Sequence, residues 1–208
     1  MASSNPSFIR SEGDLAHVLR QFADALDISS LTEDGQLFGH PIGQMIQRLI
    51  THRLLELPLG SVLLVDLSNV RQASFAALWE VLSVLATLRS MELEQKYLLF
   101  HLNINNRDLV ASLEILARDR KEVVPVINQT GSWHALGRLT VAERDTLAVV
   151  LEGKEITSTL LSERLHLVTS AASNRLRRLY ELRLVQREER RIAGSGGREF
   201  IYRPLFSM

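Results

Sequence analysis

Cysteine is missing from the chain altogether, which removes disulfides, thiolate zinc sites and thiol nucleophiles from consideration. Aromatic residues make up only 6% of the sequence, and there is neither an internal repeat nor a low-complexity tract. Net charge is absent too, with 24 Lys and Arg against 24 Asp and Glu. No apolar run approaches the roughly 18 residues that a membrane-spanning helix needs. The opening residues MASSNPSFIRSEGDLAHVL lack the apolar stretch behind a basic region that marks a secretory signal. A cytoplasmic protein with no membrane partner is therefore expected. The six histidines form no HExxH or HxxxH array, and GxxxxGK[ST], GxGxxG and GxSxG are all missing. Asp66 ends an apolar run with no second carboxylate beside it. The expectation is a protein that is not an enzyme and holds no metal or cofactor.

What remains is a chain of 208 residues, 46% hydrophobic and 23% charged, rich enough in Leu, Val, Ile and Ala to fold. That length accommodates one large domain or two small ones. Leu15, Val18, Leu19, Phe22, Ala23 and Leu26 recur at helical spacing, predicting a helix over 14–26. Ile42, Met45, Ile46, Leu49, Ile50 and Leu54 predict a second over 41–55, entered through His40–Pro41 and stopped at Pro58–Leu59–Gly60. SVLLVDL and YLLFHLNI (97–104) are strand-sized and apolar throughout, as strands buried on both faces are. Helical period returns at 75–88 and 108–117. VVPVI (123–127) reads as a third strand, with Pro125 favouring an edge or a strand start. The alternation implies an α/β layer. Trp79 and Trp133 are expected in the core and at a domain interface.

Residues 131–138 read as a boundary between a first domain, 1–138, and a second, 139–208. Thr140–Val–Ala–Glu143 has capping-box spacing ahead of a helix that Gly153 closes. A helix over 157–165 follows, then one over 169–182 capped by Thr169 or Ser170. LVQREERR, the turn IAGSGG and REFIYRPL read as a β-hairpin with Gly194, Gly196 and Gly197 at its tip. From Thr169 to Arg203 there are nine arginines, no lysine and four glutamates, so the neutral chain has a basic end suited to a polyanion. Burying Ala172, Leu176, Leu179 and Leu182 leaves Ser170, Ala171, Ser173, Asn174, Arg177 and Arg178 facing outward. Ser suits phosphate, whereas Asn and Arg can read adenine and guanine edges. Arg190, Arg191 and Arg198 flank the hairpin tip.

Taken in order, the LTxxE start, TSTLLSERL, VTSAASNRLRRL, LVQRE, the glycine-rich tip and FIYRPL resemble the MarR/ArsR-like winged helix-turn-helix superfamily. The resemblance covers about a third of the chain and implies binding of double-stranded DNA. That family usually has Gly where Arg183 sits, so Arg183 is expected to take a strained turn conformation or a different turn. SVLLVDLSNVRQASFAALWEVL in turn resembles STAS-like domains fused to bacterial regulators, in which a buried strand ends in Asp-hydrophobic-Ser and a later serine starts a helix. Asp66, Ser68 and Ser74 occupy those places as candidate regulatory residues. The phosphorylatable serine of STAS anti-sigma-factor antagonists lies in a D-S/T-S-G context, whereas this chain has Gln72–Ala73–Ser74–Phe75. Ser74 as a helix cap and Asp66 as a partner of loop amides is the competing assignment.

The fold class expected is thus α/β, a STAS-like sheet with helices, plus a C-terminal winged helix-turn-helix. The expected activity is sequence-specific transcription regulation by a homodimer, with the first domain dimerising or sensing a protein or small-molecule effector. Leu15, Val18, Leu19 and Phe22 either form the dimer interface or pack on their own domain. A winged helix that binds protein instead of DNA is the alternative.

Overall fold

A computed structural model describes residues 22, 24–88, 93, 95–191 and 197–206. Strand β1 (Asp24–Asp27) is followed by β2 (Gln36–Leu37), helix α1 (Gly39–Glu56), β3 (Val62–Asp66) and β4 (Gln72–Ala73). Then come α2 (Phe75–Leu82), α3 (Val84–Thr87), β5 (Tyr97–Leu102), α4 (Arg107–Asp119), β6 (Val123–Asn128) and β7 (Trp133–Gly137). The remainder is α5 (Val141–Glu152), α6 (Ser158–Leu165), α7 (Thr169–Glu181), β8 (Val185–Arg191) and β9 (Arg198–Pro204). The main sheet runs β1-β3-β5-β6-β7, parallel except for β7. A mixed α/β architecture is what the alternating runs predicted.

Three local expectations are corrected, and the segment expected as a boundary contains a strand. The helix over 14–26 does not extend through its last turn: Asp24–Asp27 is an edge strand in which Leu26 lies opposite Val65. Pairing with β3 outweighs a spacing that a short segment satisfies by either period. Residues 14–21 and 23, with Leu15, Val18 and Leu19, lie outside the described part. The presumed boundary at 131–138 contains β7, antiparallel to β6 from Ile127↔Trp133 to Val123↔Gly137. Its five residues, WHALG, carry neither strict alternation nor a continuous apolar run. β6 is consequently an interior strand, and Pro125 pairs only with Ala135 of β7. The register to β5 starts one residue later, at Val126, where an N–H is again available. Finally, the helix over 75–88 breaks at Ser83, whose hydroxyl donates to the Glu80 carbonyl at 2.6 Å. A serine bonding back to the preceding turn competes with the helical ladder.

Each apolar strand serves two cores. Leu63, Val65, Leu98, Phe100, Val124 and Val126 face Ile46, Ile50, Leu78, Val81, Leu113 and Leu116 of the helices α1, α2 and α4. Gly43 permits that layer to close: a Cβ there would sit 2.4 Å from the Ala77 carbonyl oxygen of α2. On the other sheet face Val62, Leu64, Tyr97, Leu99, Val123 and Ile127 join Leu147, Leu161, Leu176, Leu179, Leu184 and Tyr202 in a single cluster. The described residues between 141 and 206 thus supply a layer on this sheet face, which explains why its strands are apolar on both faces. Phe22 belongs to this side as well, with its ring 6.1 Å from that of Phe206. Trp133 packs against the second cluster, whereas Trp79, expected to be covered, is 42% exposed with the Arg120 guanidinium 4.5 Å from its ring.

Candidate nucleic-acid interface

α5 begins with the expected capping box, in which the Thr140 side chain accepts from Glu143 N–H and Glu143 accepts from Thr140 N–H. Thr157 caps α6 through Leu160 N–H. The turn between α6 and α7 uses His166 in the left-handed region, φ 52°, and Leu167 N–H returns to the Ser162 carbonyl. α7 differs from the sequence reading at its start: the capping position is Val168, and no side chain caps the helix. Ala172, Leu176, Leu179 and Tyr180 are its buried face. Ser170, Ser173, Asn174, Arg177 and Arg178 are exposed and Ala171 half-buried, so one edge of α7 presents the expected set to solvent.

The end of α7 resolves the question raised by Arg183. Leu184 N–H donates to Leu179 O and Arg183 N–H to Tyr180 O, the paired bonds of a Schellman motif. Arg183 fills the position where glycine is favoured, at φ 59°. Its guanidinium lies 5.2 Å from the Tyr180 ring.

β8 and β9 pair from Val185↔Pro204 to Arg191↔Arg198. Reciprocal backbone bonds between Ile156 and Tyr202 tie the hairpin to the α5–α6 connection. Arg190, Arg191 and Arg198 are exposed at the end of the ladder next to the turn; Gly194 and Gly196 lie outside the described residues. Ring contacts that the sequence did not single out support the hairpin. The Arg187 guanidinium sits 3.9 Å from the Tyr180 ring and 4.5 Å from that of Phe200.

Most of these cations have carboxylate neighbours. Arg178 pairs with Glu143 at 3.3 Å and Glu181 at 3.7 Å, and Arg177 with Glu181 at 3.6 Å. Arg190 pairs with Glu155 at 2.9 Å, Arg198 with Glu189 at 3.0 Å, and Arg203 with both Glu155 and Glu188. Burial pushes the Glu143 carboxyl up, but its bonds from Thr140 and Arg178 outweigh this and hold it below the ordinary range. Apart from the one with half-buried Glu143, these are exposed pairs, which contribute about 0–1 kcal/mol each and constrain the arginines only weakly.

The other candidates form a separate group at the carboxyl end of β3. Asp66 Oδ1 accepts from Ser68 N–H at 2.8 Å and contacts His101 Nδ1 at 3.0 Å. Burial raises its pKa, but the His101 and Ser68 hydrogen bonds prevail and leave it lowered. Ser74 Oγ accepts from Ala77 N–H at 3.2 Å and Gly39 N–H at 3.0 Å, holding the starts of α2 and α1 together. Those are the bonds of a cap and a loop closer. His101 is 5% exposed, and nothing in the apolar run YLLFHLNI marks it as Asp66's partner. Among the described residues no group of three or more His, Asp or Glu is placed to hold a metal ion, and no helix is long and apolar enough to cross a membrane.

No family model matches the chain, and no curated protein matches it. Among solved structures it is similar to one described as a possible transcriptional regulator from Methanosarcina mazei Go1, with 28% identity and a TM-score of 0.29. The overlap covers 32% of this chain and 56% of that one, so the chain spans about half the length of that structure. The site's own geometry therefore has to carry the functional conclusion.

Proposed function

We propose that the chain is a sequence-specific, double-stranded DNA-binding transcription regulator. Residues 139–208 act as a winged helix-turn-helix, and 1–138 as a STAS-like regulatory or dimerisation domain. One observation carries this reading. α7 buries Ala172, Leu176 and Leu179 completely while exposing Ser170, Ser173, Asn174, Arg177 and Arg178, next to a hairpin bearing Arg190, Arg191 and Arg198. A short polar start followed by arginines suits a helix entering the major groove, with the hairpin arginines on the flanking backbone. A homodimer fits the same reading, because paired recognition helices read two half-sites. The Phe22–Phe206 contact assigns one member of the expected interface stripe to packing within the chain. An effector at this first domain remains part of the proposal, and the described residues leave a shallow cleft of about 350 Å³ lined by Ser61, Val62, Lys154, Gln186, Arg203 and Phe206.

The intramolecular glutamates favour a second reading, in which the hairpin face docks on a protein because its positive charge is already partly compensated. Fluorescence anisotropy of the full chain on duplex DNA across a salt series separates the two. DNA binding should weaken steeply with salt. Arg177→Ala and Arg178→Ala should each lower affinity by about 1–3 kcal/mol on a preferred sequence if they make bidentate base contacts. Unchanged affinity in both, with the fold intact, refutes the assignment.

A further inference from the structure

Folding gives no account of Val168. It stands at the capping position of α7, where Ser, Thr, Asp or Asn would accept a bond from the first turn, and it supplies no such bond. Burial does not compensate, since the residue is 69% exposed. Thr169, Ser170, Ser173 and Asn174 around it are exposed and polar, leaving Val168 as an exposed apolar side chain at the front of the outward edge. Ala171 donates its N–H to the Val168 carbonyl at 3.0 Å, so a second small apolar group follows within one turn. A residue that breaks a local stability rule without a compensating contact is expected where function uses it.

The apolar group that base edges offer in the major groove is the thymine C5-methyl. We propose that Val168, with Ala171 beside it, is a specificity-determining residue that packs on thymine methyl groups. The inference rests on the DNA-binding reading above and extends it to a base preference. Asn174, Arg177 and Arg178 read hydrogen-bonding edges further along the helix, whereas Val168 reads shape and apolarity at its start. Taking one methyl group out of such a contact changes affinity by about four-fold.

The test uses the full chain. A duplex is enriched from a random-sequence pool, and each thymine is then replaced in turn by uracil, which deletes only the methyl. At one or two positions uracil should weaken wild-type binding about four-fold, while V168S binds the thymine and uracil duplexes equally. V168S should also melt at a higher temperature, because serine restores the missing cap, so misfolding is not at issue. Uracil that is harmless at every position, or that weakens wild type and V168S equally, overturns the inference and leaves DNA binding intact. Failure to enrich any duplex removes the DNA-binding reading and this one together.

Discussion

Replacing Arg183 by glycine should stabilise the protein, although it deletes a large and largely covered side chain. Arg183 holds the left-handed position of the Schellman motif at φ 59°, where a side chain costs about 1–2 kcal/mol relative to glycine. Its Nε and Nη1 are buried and meet no partner among the described residues, and desolvating such a group costs about 1–3 kcal/mol. Against these gains, glycine loses about 0.5–1 kcal/mol of extra unfolded-state entropy. The Tyr180 ring contact at 5.2 Å accounts for about 0.5 kcal/mol, and packing of the aliphatic stem for about 1 kcal/mol. The balance is roughly 1 kcal/mol in favour of Arg183→Gly, a rise of about 2–4 °C in Tm for a chain of this size. Arg183→Ala is the control, since it removes the same guanidinium but keeps a Cβ at positive φ. Thermal unfolding followed by circular dichroism should place the glycine variant about 1 kcal/mol above the alanine variant. Equal melting temperatures for the two would show that the left-handed backbone carries no penalty. A glycine variant below wild type would mean that the buried guanidinium is a net contributor.

Gly43→Ala should destabilise by about 1–3 kcal/mol in urea titrations, because the new methyl meets the α2 backbone at 2.4 Å and the helices must separate. A neutral result would mean that α1 and α2 cross less closely than described. Burial pushes Tyr97 up to about 12, so its folded-state pKa exceeds the unfolded value near 10. The stability linked to this difference is complete below pH 10 and is lost as pH rises toward 12. Absorbance titration at 295 nm should show a late component that Tyr97→Phe reduces, the remainder belonging to Tyr202, which burial also pushes up. Asp66 works in the opposite direction: its lowered pKa contributes stability that is present above the ordinary value of 3.8 and lost as pH falls through the lower folded value. Asp66→Asn should flatten the dependence of the urea midpoint below about pH 4, and an unchanged acid limb would contradict the His101 and Ser68 bonds.

The strands that build the sheet's centre were readable because SVLLVDL and YLLFHLNI are apolar at odd and even positions alike, which only two covering layers explain. Nothing in that pattern said that the second layer would come from residues 141–206. β1 was misread because Phe22, Ala23 and Leu26 satisfy a helical spacing, and only the partner β3, some forty positions away, selects the strand. β7 escaped notice for the opposite reason, as WHALG has too little period to read. The outward edge of α7 followed directly from its 3.6-residue stripe. Its ion pairs did not, since Glu143 and Glu155 each lie 35 positions from the arginine they meet, at Arg178 and Arg190. Val168 was invisible for a different reason. Thr169 and Ser170 are better caps, and the sequence alone does not show that the helix starts before either can serve.

The shared use of the sheet has a consequence for synthesis on the ribosome. When residue 138 has emerged, every strand of the main sheet is available, but the face bearing Val62, Leu64, Tyr97, Leu99, Val123 and Ile127 has no cover. Its covering layer ends at Phe206 and, at about 5–20 residues per second, takes roughly 3–14 s more to be translated. Throughout that interval the nascent chain carries an uncovered apolar surface, a binding site for chaperones and a risk for neighbouring polysomes. Rare codons between 139 and 206 would lengthen the exposure, so translation speed over that stretch bears directly on how much protein reaches the native state.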